Sequence, residues 1–331
     1  MHDAGRRVFV IAEAGVNHNG SLDRALRLID AAAEAGADAV KFQTFKTENI
    51  VIISAPKADY QQKTTGSDES QFAMLKRLEL SYDEHYHLLA HCQKSGIQFL
   101  STAFDFESLD FLVQNLGLKI LKIPSGEITN APLLLAHART GCDLILSTGM
   151  ATLSEVEAAL GVIAFGLMNE EAERLPSAVA FHQAYFSDEG QRLLRKNVTL
   201  LHCTSEYPAP PRDINLNVMR TMSKAFGLRV GYSDHSKGLA VSIAATALGA
   251  EVIEKHFTLD KSLKGPDHKA SLNPEELKEI IAAIRTVEVA MGDGVKIPAL
   301  PELNNRSAAR KSLVAAKEIR QGQAFTEQNI T

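Results

Sequence analysis

RVGYSDHSKGLAVSIAATALGAEVIEKHF, residues 229–257, is the stretch on which the fold turns. It opens and closes on short apolar runs, RVGYSD and VIEKHF, with an Ala-rich segment of helical spacing between them. Two strands joined through a helix run parallel, because an antiparallel pair needs only a tight turn. Each run also leads into a histidine at its C-terminal end, His235 and His256. Parallel strands of one sheet end on the same side, so the two imidazoles meet at one edge. A single strand-end histidine is ordinarily a surface or hydrogen-bonded core residue. Two on successive strands make metal binding or catalysis an equal contender.

The same alternation runs outward along the chain. Strand-like runs are VFVIAE (8–13), AVKFQT (39–44), QFLSTA (98–103), KILKIPS (119–125), LILSTG (144–149), TLLHCT (199–204), RVGYSD (229–234) and VIEKHF (252–257). Their nearly continuous apolar character suits a parallel sheet buried on both faces, and their number is that of a closed (β/α)8 barrel. Helical segments separate them: 21–36 opens on a Ser cap and closes on Gly36, and 240–250 and 273–292 read likewise. The rival is a doubly wound open sheet. It lacks support, because the first strand is followed by the polar loop AGVNHNGS and not by a GxGxxG phosphate turn. The expectation is an α/β TIM barrel over 1–292 and a Pro/Asn-containing linker over 293–311. The segment 312–331 then begins a second small unit, too short to bury its own core. Residues 46–80 read as a lid or substrate loop, and 166–197 as an extended connection.

Composition narrows the function. The 331 residues carry a net charge of −5, with no dense Lys/Arg run, which argues against nucleic acid as a partner. Anionic small molecules stay open, because a few buried lysines suffice to hold a phosphate. Cys92, Cys142 and Cys203 form no CxxC and read as reduced, mostly buried thiols of a cytoplasmic protein. The N-terminus has basic residues before an apolar run, but Glu13 interrupts that run, so a strand is the better reading than a signal peptide. No stretch has transmembrane length.

Alternate residues of a strand share a face, and this parity collects a polar set at the strand ends. Glu254 pairs with His256, Ser233 with His235, Lys41 with Gln43, and Ser205 with Tyr207. A lone strand-end lysine more often snorkels to solvent, and a lone Ser or Thr more often forms a turn. Their coincidence on most of the strand ends is not explained by packing, and the C-terminal rim is where such barrels do chemistry. Lys41 and Lys122, with the hydroxyls of Thr102, Ser125, Ser147 and Ser233, suit a small anion carrying both phosphate and carboxylate. Two histidines completed by oxygen ligands suit a divalent cation acting as a Lewis acid. Glu13, Glu127, Glu254 and Asp267 are available for proton transfer or for orienting water. The residues alone point to a metal-assisted addition or carbon–carbon bond reaction on a phosphorylated acid.

The ordered motifs IAEAGVNHNGS, AVKFQTFK, FLSTAFD, KIPSGE, ILSTGMAT, LLHCTSEYPAP, GYSDHS, EKHFTLDKSLKGPDH and RKSLVA resemble the sialic acid synthase family over essentially the whole chain. The resemblance is nearest to its bacterial N-acetylneuraminate and N,N'-diacetyllegionaminate branch. It implies condensation of phosphoenolpyruvate with an N-acetylmannosamine-type sugar and water. By that resemblance His235 and His256 hold Mn²⁺, with Mg²⁺ or Co²⁺ as substitutes. Lys41, Thr102, Lys122, Ser125, Ser147, Ser205 and Ser233 hold phosphoenolpyruvate, and Gln43, Tyr207, Asp267 and Glu127 contact the sugar. The same resemblance implies that Glu13, Glu254 and Lys41 carry the chemistry and that the protein is a homodimer.

Two departures stand out. Thr204-Ser205 occupies a place where the family often has an amide, so Ser205 is expected to act through water. By the resemblance 312–331 is the incomplete start of the family's antifreeze-like domain, and the chain stops at Thr331, before the motif that in the family lends an arginine to the partner's site. A weakened sugar site is the expectation. Synthesis of N-acetylneuraminate is the leading reading, with N,N'-diacetyllegionaminate as its alternative. A non-catalytic sugar- or phosphate-binding barrel and a pyruvate-using metal aldolase are the more distant ones.

Overall fold

The structure, a computed structural model, describes residues 7–57, 69–168 and 175–331. Part of the expected lid, 58–68, and part of the 166–197 connection, 169–174, lie outside the described residues. Eight strands, β1 (Phe9–Gly15), β2 (Ala39–Thr44), β3 (Gln98–Ala103), β4 (Ile120–Ile123), β5 (Asp143–Ser147), β6 (Val198–His202), β7 (Arg229–Asp234) and β8 (Val252–His256), close into one barrel in chain order. Every neighbouring pair is parallel, and β8 returns to β1. Each strand begins within one residue of the run read from the sequence.

The strand ends differ more. β4 stops at Ile123 because Pro124 cannot donate to the ladder, and Ser125–Glu127 turn into a 3-10 helix. β1 runs on to Gly15, where the pairing with β2 shifts register and Gly15 takes φ 52.

Helices pack around the wall. The helix Leu22–Ala35 starts on Ser21, whose side chain accepts from the Arg24 amide, and ends on Gly36 at φ 84. Pro274–Met291 closes the ring beside it. The 166–197 connection supplies the helices Ala178–Phe186 and Asp188–Asn197, which pack against Leu153–Leu167. A continuous apolar layer fills the space between wall and helices. Among the described residues no helix is long and apolar enough to cross a membrane.

Inside the barrel a second, smaller apolar cluster forms a floor: Ile11, Ala39, Leu100, Ile145, Leu201 and Val252, with Phe9 and Ile120 packed against it. β7 contributes Gly231 to this wall. A Cβ there would lie 2.4 Å from the Val252 carbonyl and 2.7 Å from a Leu201 methyl, so no side chain fits.

The chain divides into two compact units, Met1–Met291 and Gly292–Thr331. In the second, the stretch 293–311, expected as linker, contains the helix Leu300–Ala309. Pro301 sits in its first turn, where a missing amide hydrogen costs nothing, and Glu302 accepts from the Ala299 amide. Val314 and Thr331 exchange two backbone hydrogen bonds of 2.9 Å around an Ala315–Ile330 bridge.

Candidate active site

Adding two to each floor residue gives the next inward tier: Glu13 above Ile11, Lys41 above Ala39, Thr102 above Leu100, Ser147 above Ile145, Cys203 above Leu201 and Glu254 above Val252. Lys122 follows Ile120, and Ser233 follows Gly231, in the same way. All eight are buried. The tier changes abruptly from apolar to ionic, with no partner charge in the floor to justify it.

Four of these side chains form a charge quartet. Lys41 Nζ lies 2.6 Å from Glu13 Oε2 and 3.6 Å from Glu254 Oε2, and Lys122 Nζ lies 3.4 Å from Glu254 Oε1. Lys41 also donates to Thr102 Oγ1 at 3.1 Å, and Ser233 donates to Glu254 Oε1 at 2.8 Å. Burial acts to raise the Glu254 carboxyl, but the two ammonium groups and Ser233 outweigh it and hold the group below the usual carboxylate range. Burial also lowers Lys122. On Lys41 burial is overcome by the two glutamates, which raise it. Glu13 is pushed up to about 7, chiefly by burial. The Lys41 and Glu13 shifts pull opposite ways on one contact, and its 2.6 Å length decides for a charged Lys41. Glu13 is then the carboxyl of the quartet that takes up a proton most readily.

Beside the quartet is a cradle of small groups. Ser125 Oγ accepts from the Gly149 amide at 2.9 Å and lies 3.2 Å from Cys203 Sγ. A Cβ on Gly149 would fall 2.3 Å from Ser205 Oγ, 2.8 Å from Ser125 Oγ and 2.9 Å from Cys203 Sγ, so glycine is what lets the three converge. The Ser147 hydroxyl is buried without a hydrogen-bond partner. A buried, unpartnered hydroxyl on the same tier as two lysines is able to donate to an anion.

One step further toward the mouth stand the histidines. Their ring centroids are 5.6 Å apart. His235 Nδ1–H donates to the Thr204 carbonyl at 2.6 Å, which fixes the tautomer and leaves Nε2 as an acceptor 3.2 Å from the Tyr207 hydroxyl. Tyr207 stacks on His235 at 4.2 Å and meets His256 edge-on at 5.5 Å. His256 Nδ1 is buried without a hydrogen-bond partner, 3.9 Å from Asp267 Oδ2. Burial pushes His235 down to about 4 and His256 well below its ordinary value, and it raises Asp267 to about 6.

Two neutral imidazoles with free lone pairs fit a divalent cation. Among the described residues no cluster of three or more His, Cys, Asp or Glu is built for a metal, so further ligands would be water or substrate oxygen.

Two sequence-predicted residues deserve separate placement. Gln43 Nε2 sits over Gly15, near Glu13 and His256, on the mouth side of Lys41. Glu127 is half-buried on the turn after β4, and its carboxylate accepts from Asn130 Nδ2 at 2.7 Å, at a helix cap and not in the tier. The sequence reading missed Cys203 and Gly149. Cys203 shares the parity of Ser205, but the sequence reading treats the three cysteines only as reduced, mostly buried thiols, and all three are free and buried. Gly149 left no signal without the contacts it permits.

The NeuB family model matches residues 28–296, four-fifths of the chain. The chain belongs to the NeuB family. It is 51% identical over 326 residues to the N,N'-diacetyllegionaminic acid synthase of Campylobacter jejuni, covering 98% of this chain and 90% of that protein. It is 45% identical to the enzyme of the same name from Legionella pneumophila, covering 97% and 84%. A crystal structure of the N-acetylneuraminic acid synthetase of Leptospira borgpetersenii in complex with citrate superposes with a TM-score of 0.71 at 34% identity, covering 92% and 93%. NeuB membership makes this barrel an enzyme of the sialic acid synthase type.

Proposed function

We propose that the protein joins phosphoenolpyruvate to an N-acyl hexosamine of the 6-deoxy diacetamido type, making N,N'-diacetyllegionaminate and phosphate. The observation that carries the reaction class is the ionic tier of Lys41, Lys122 and the unpartnered Ser147 hydroxyl, set directly beneath two neutral imidazoles. The acceptor rests on similarity. Relatives named for legionaminic acid are 51% and 45% identical, against 34% for the solved N-acetylneuraminic acid synthetase. The order of the two sequence readings is thereby reversed, and N-acetylneuraminate becomes the alternative.

In this reading Lys41, Lys122, Ser147, Ser125 and Ser233 grip the phosphate and carboxylate of phosphoenolpyruvate and fix its C2=C3 bond. C3 bonds to the aldehyde carbon of the open-chain sugar, and the aldehyde oxygen takes a proton. Water adds at C2 and gives up one proton, and the C2–O bond to phosphate breaks as the C2 hydroxyl passes its other proton to the departing phosphate, leaving the 2-keto acid. The first proton lost by water equals the one gained by the new hydroxyl. Glu13, poised near neutrality, carries it, while Glu254 stays ionised and keeps both lysines charged. Gln43, Tyr207 and Asp267 face the mouth, where the sugar would lie. A divalent cation held by His235 and His256, most suitably Mn²⁺, would supply Lewis-acid polarisation of the sugar carbonyl.

Phosphate release from phosphoenolpyruvate with Mn²⁺ tests this. With the 6-deoxy diacetamido hexose as acceptor, kcat/KM should exceed that for N-acetylmannosamine at least tenfold, and chelator should stop both. The opposite preference would restore the N-acetylneuraminate reading. Turnover indifferent to chelator would remove the metal from it.

A further inference from the structure

The residues before the two histidines, Asp234 and Lys255, are one step out of phase with them and so face out of the barrel, away from the site. They are register partners across β7 and β8. Lys255 Nζ lies 3.0 Å from Asp234 Oδ2, with side chains 2% and 0% exposed. The same ammonium donates to the Ser236 carbonyl at 2.5 Å. Asp234 Oδ1 accepts from the Ser236 amide at 2.8 Å and its hydroxyl at 2.6 Å, and Oδ2 accepts from Ser242 at 2.6 Å. Both neighbours of His235 are therefore tied to the residue that precedes His256.

A buried ion pair of this kind adds little net stability, since apolar residues of like volume would pack as well; what it supplies is position. The reaction reading assigns it no role. We infer that Asp234 and Lys255 form a positioning pair that sets the spacing and orientation of His235 relative to His256 from behind the barrel wall. The pair fixes the backbone on either side of His235, so that Nδ1–H reaches the Thr204 carbonyl and Nε2 turns inward. The consequence for metal affinity rests on the metal reading proposed above; the consequence for the imidazole does not.

Two variants test this: Lys255→Met, which leaves Asp234 with three donors, and the double variant Asp234→Asn/Lys255→Met, which removes both charges at nearly constant shape. Circular dichroism checks that each retains the fold. In metal-free protein, nitrogen-15 NMR of the imidazoles should show a single Nδ1–H tautomer for His235 in the wild type. That signature should be averaged or lost in the folded variants. Mn²⁺ binding, read by electron paramagnetic resonance of the free ion, should weaken about 10–100-fold. An unchanged His235 signal in a folded variant would overturn the inference, whatever the metal does. A wild-type protein that binds no Mn²⁺ would refute the metal reading, and the imidazole signal would then judge the pair alone.

Discussion

Ser147 carries the sharpest expectation of any single side chain. Its hydroxyl is buried, has no hydrogen-bond partner and sits on the tier that holds Lys41 and Lys122. Removing it deprives the folded protein of nothing, so Ser147→Ala should unfold within about 0.5 kcal/mol of the wild type. A lost hydrogen bond to a charged ligand costs about 2 kcal/mol, which is roughly a thirtyfold rise in KM for phosphoenolpyruvate. Steady-state kinetics beside a thermal melt would separate the two effects. A normal KM would mean that the hydroxyl never meets the ligand. At this scale parity made most of the site legible, because a strand leaves each side chain only two directions. Its reach ends with the strand. Glu127 lies on the turn after Ile123, and Tyr207 reaches His235 from a loop whose path no alternation rule encodes.

The helix Ala131–Arg139 shows what an element can hide. His137 on it is fully buried, donates Nδ1–H to the Leu133 carbonyl at 2.9 Å and leaves Nε2 without a hydrogen-bond partner. Burial pushes it down to about 4. Above pH 6.5 it is neutral folded and unfolded, and contributes no pH dependence. Between pH 6.5 and about 4 the unfolded chain takes a proton that the fold refuses, so stability falls as pH falls, by on the order of 3 kcal/mol in total. His137→Leu should therefore flatten the acid limb of stability, measured as urea midpoints at pH 7.5 and pH 5. An unaltered slope would assign the acid sensitivity to other groups, such as the equally buried His18. Elements themselves were readable for a physical reason: strands buried on both faces are written in Val, Ile and Leu, and helix ends in Ser and Gly. The helix Leu300–Ala309 was not, because a Pro and two Asn inside it are the composition of a loop.

At the scale of the molecule, the two compact units differ in kind. The barrel unit is built on continuous apolar layers, whereas among residues 292–331 nearly every side chain is exposed, with Asn329 buried. Deleting 292–331 should then leave the barrel's melting temperature within about 3 °C of the full chain, because the apolar layers that hold the barrel are drawn from its own unit. A drop of ten degrees or more would show that the barrel depends on the second unit for its own folding. The count and order of strands were legible because eight runs repeat one pattern. How the final segment is arranged was not, since it has neither a repeat nor a core to betray it.

The apolar floor has a consequence for traffic. Ile11, Ala39, Leu100, Ile145, Leu201 and Val252 plug the barrel beneath the lysines, so among the described residues the interior is closed at its floor and opens toward the histidines. In the proposed reaction, whatever binds the deepest anchors must arrive before anything seated over it at the histidines. The fragment left at the bottom must likewise wait until the product above has gone. Phosphoenolpyruvate would be first in, and phosphate last out.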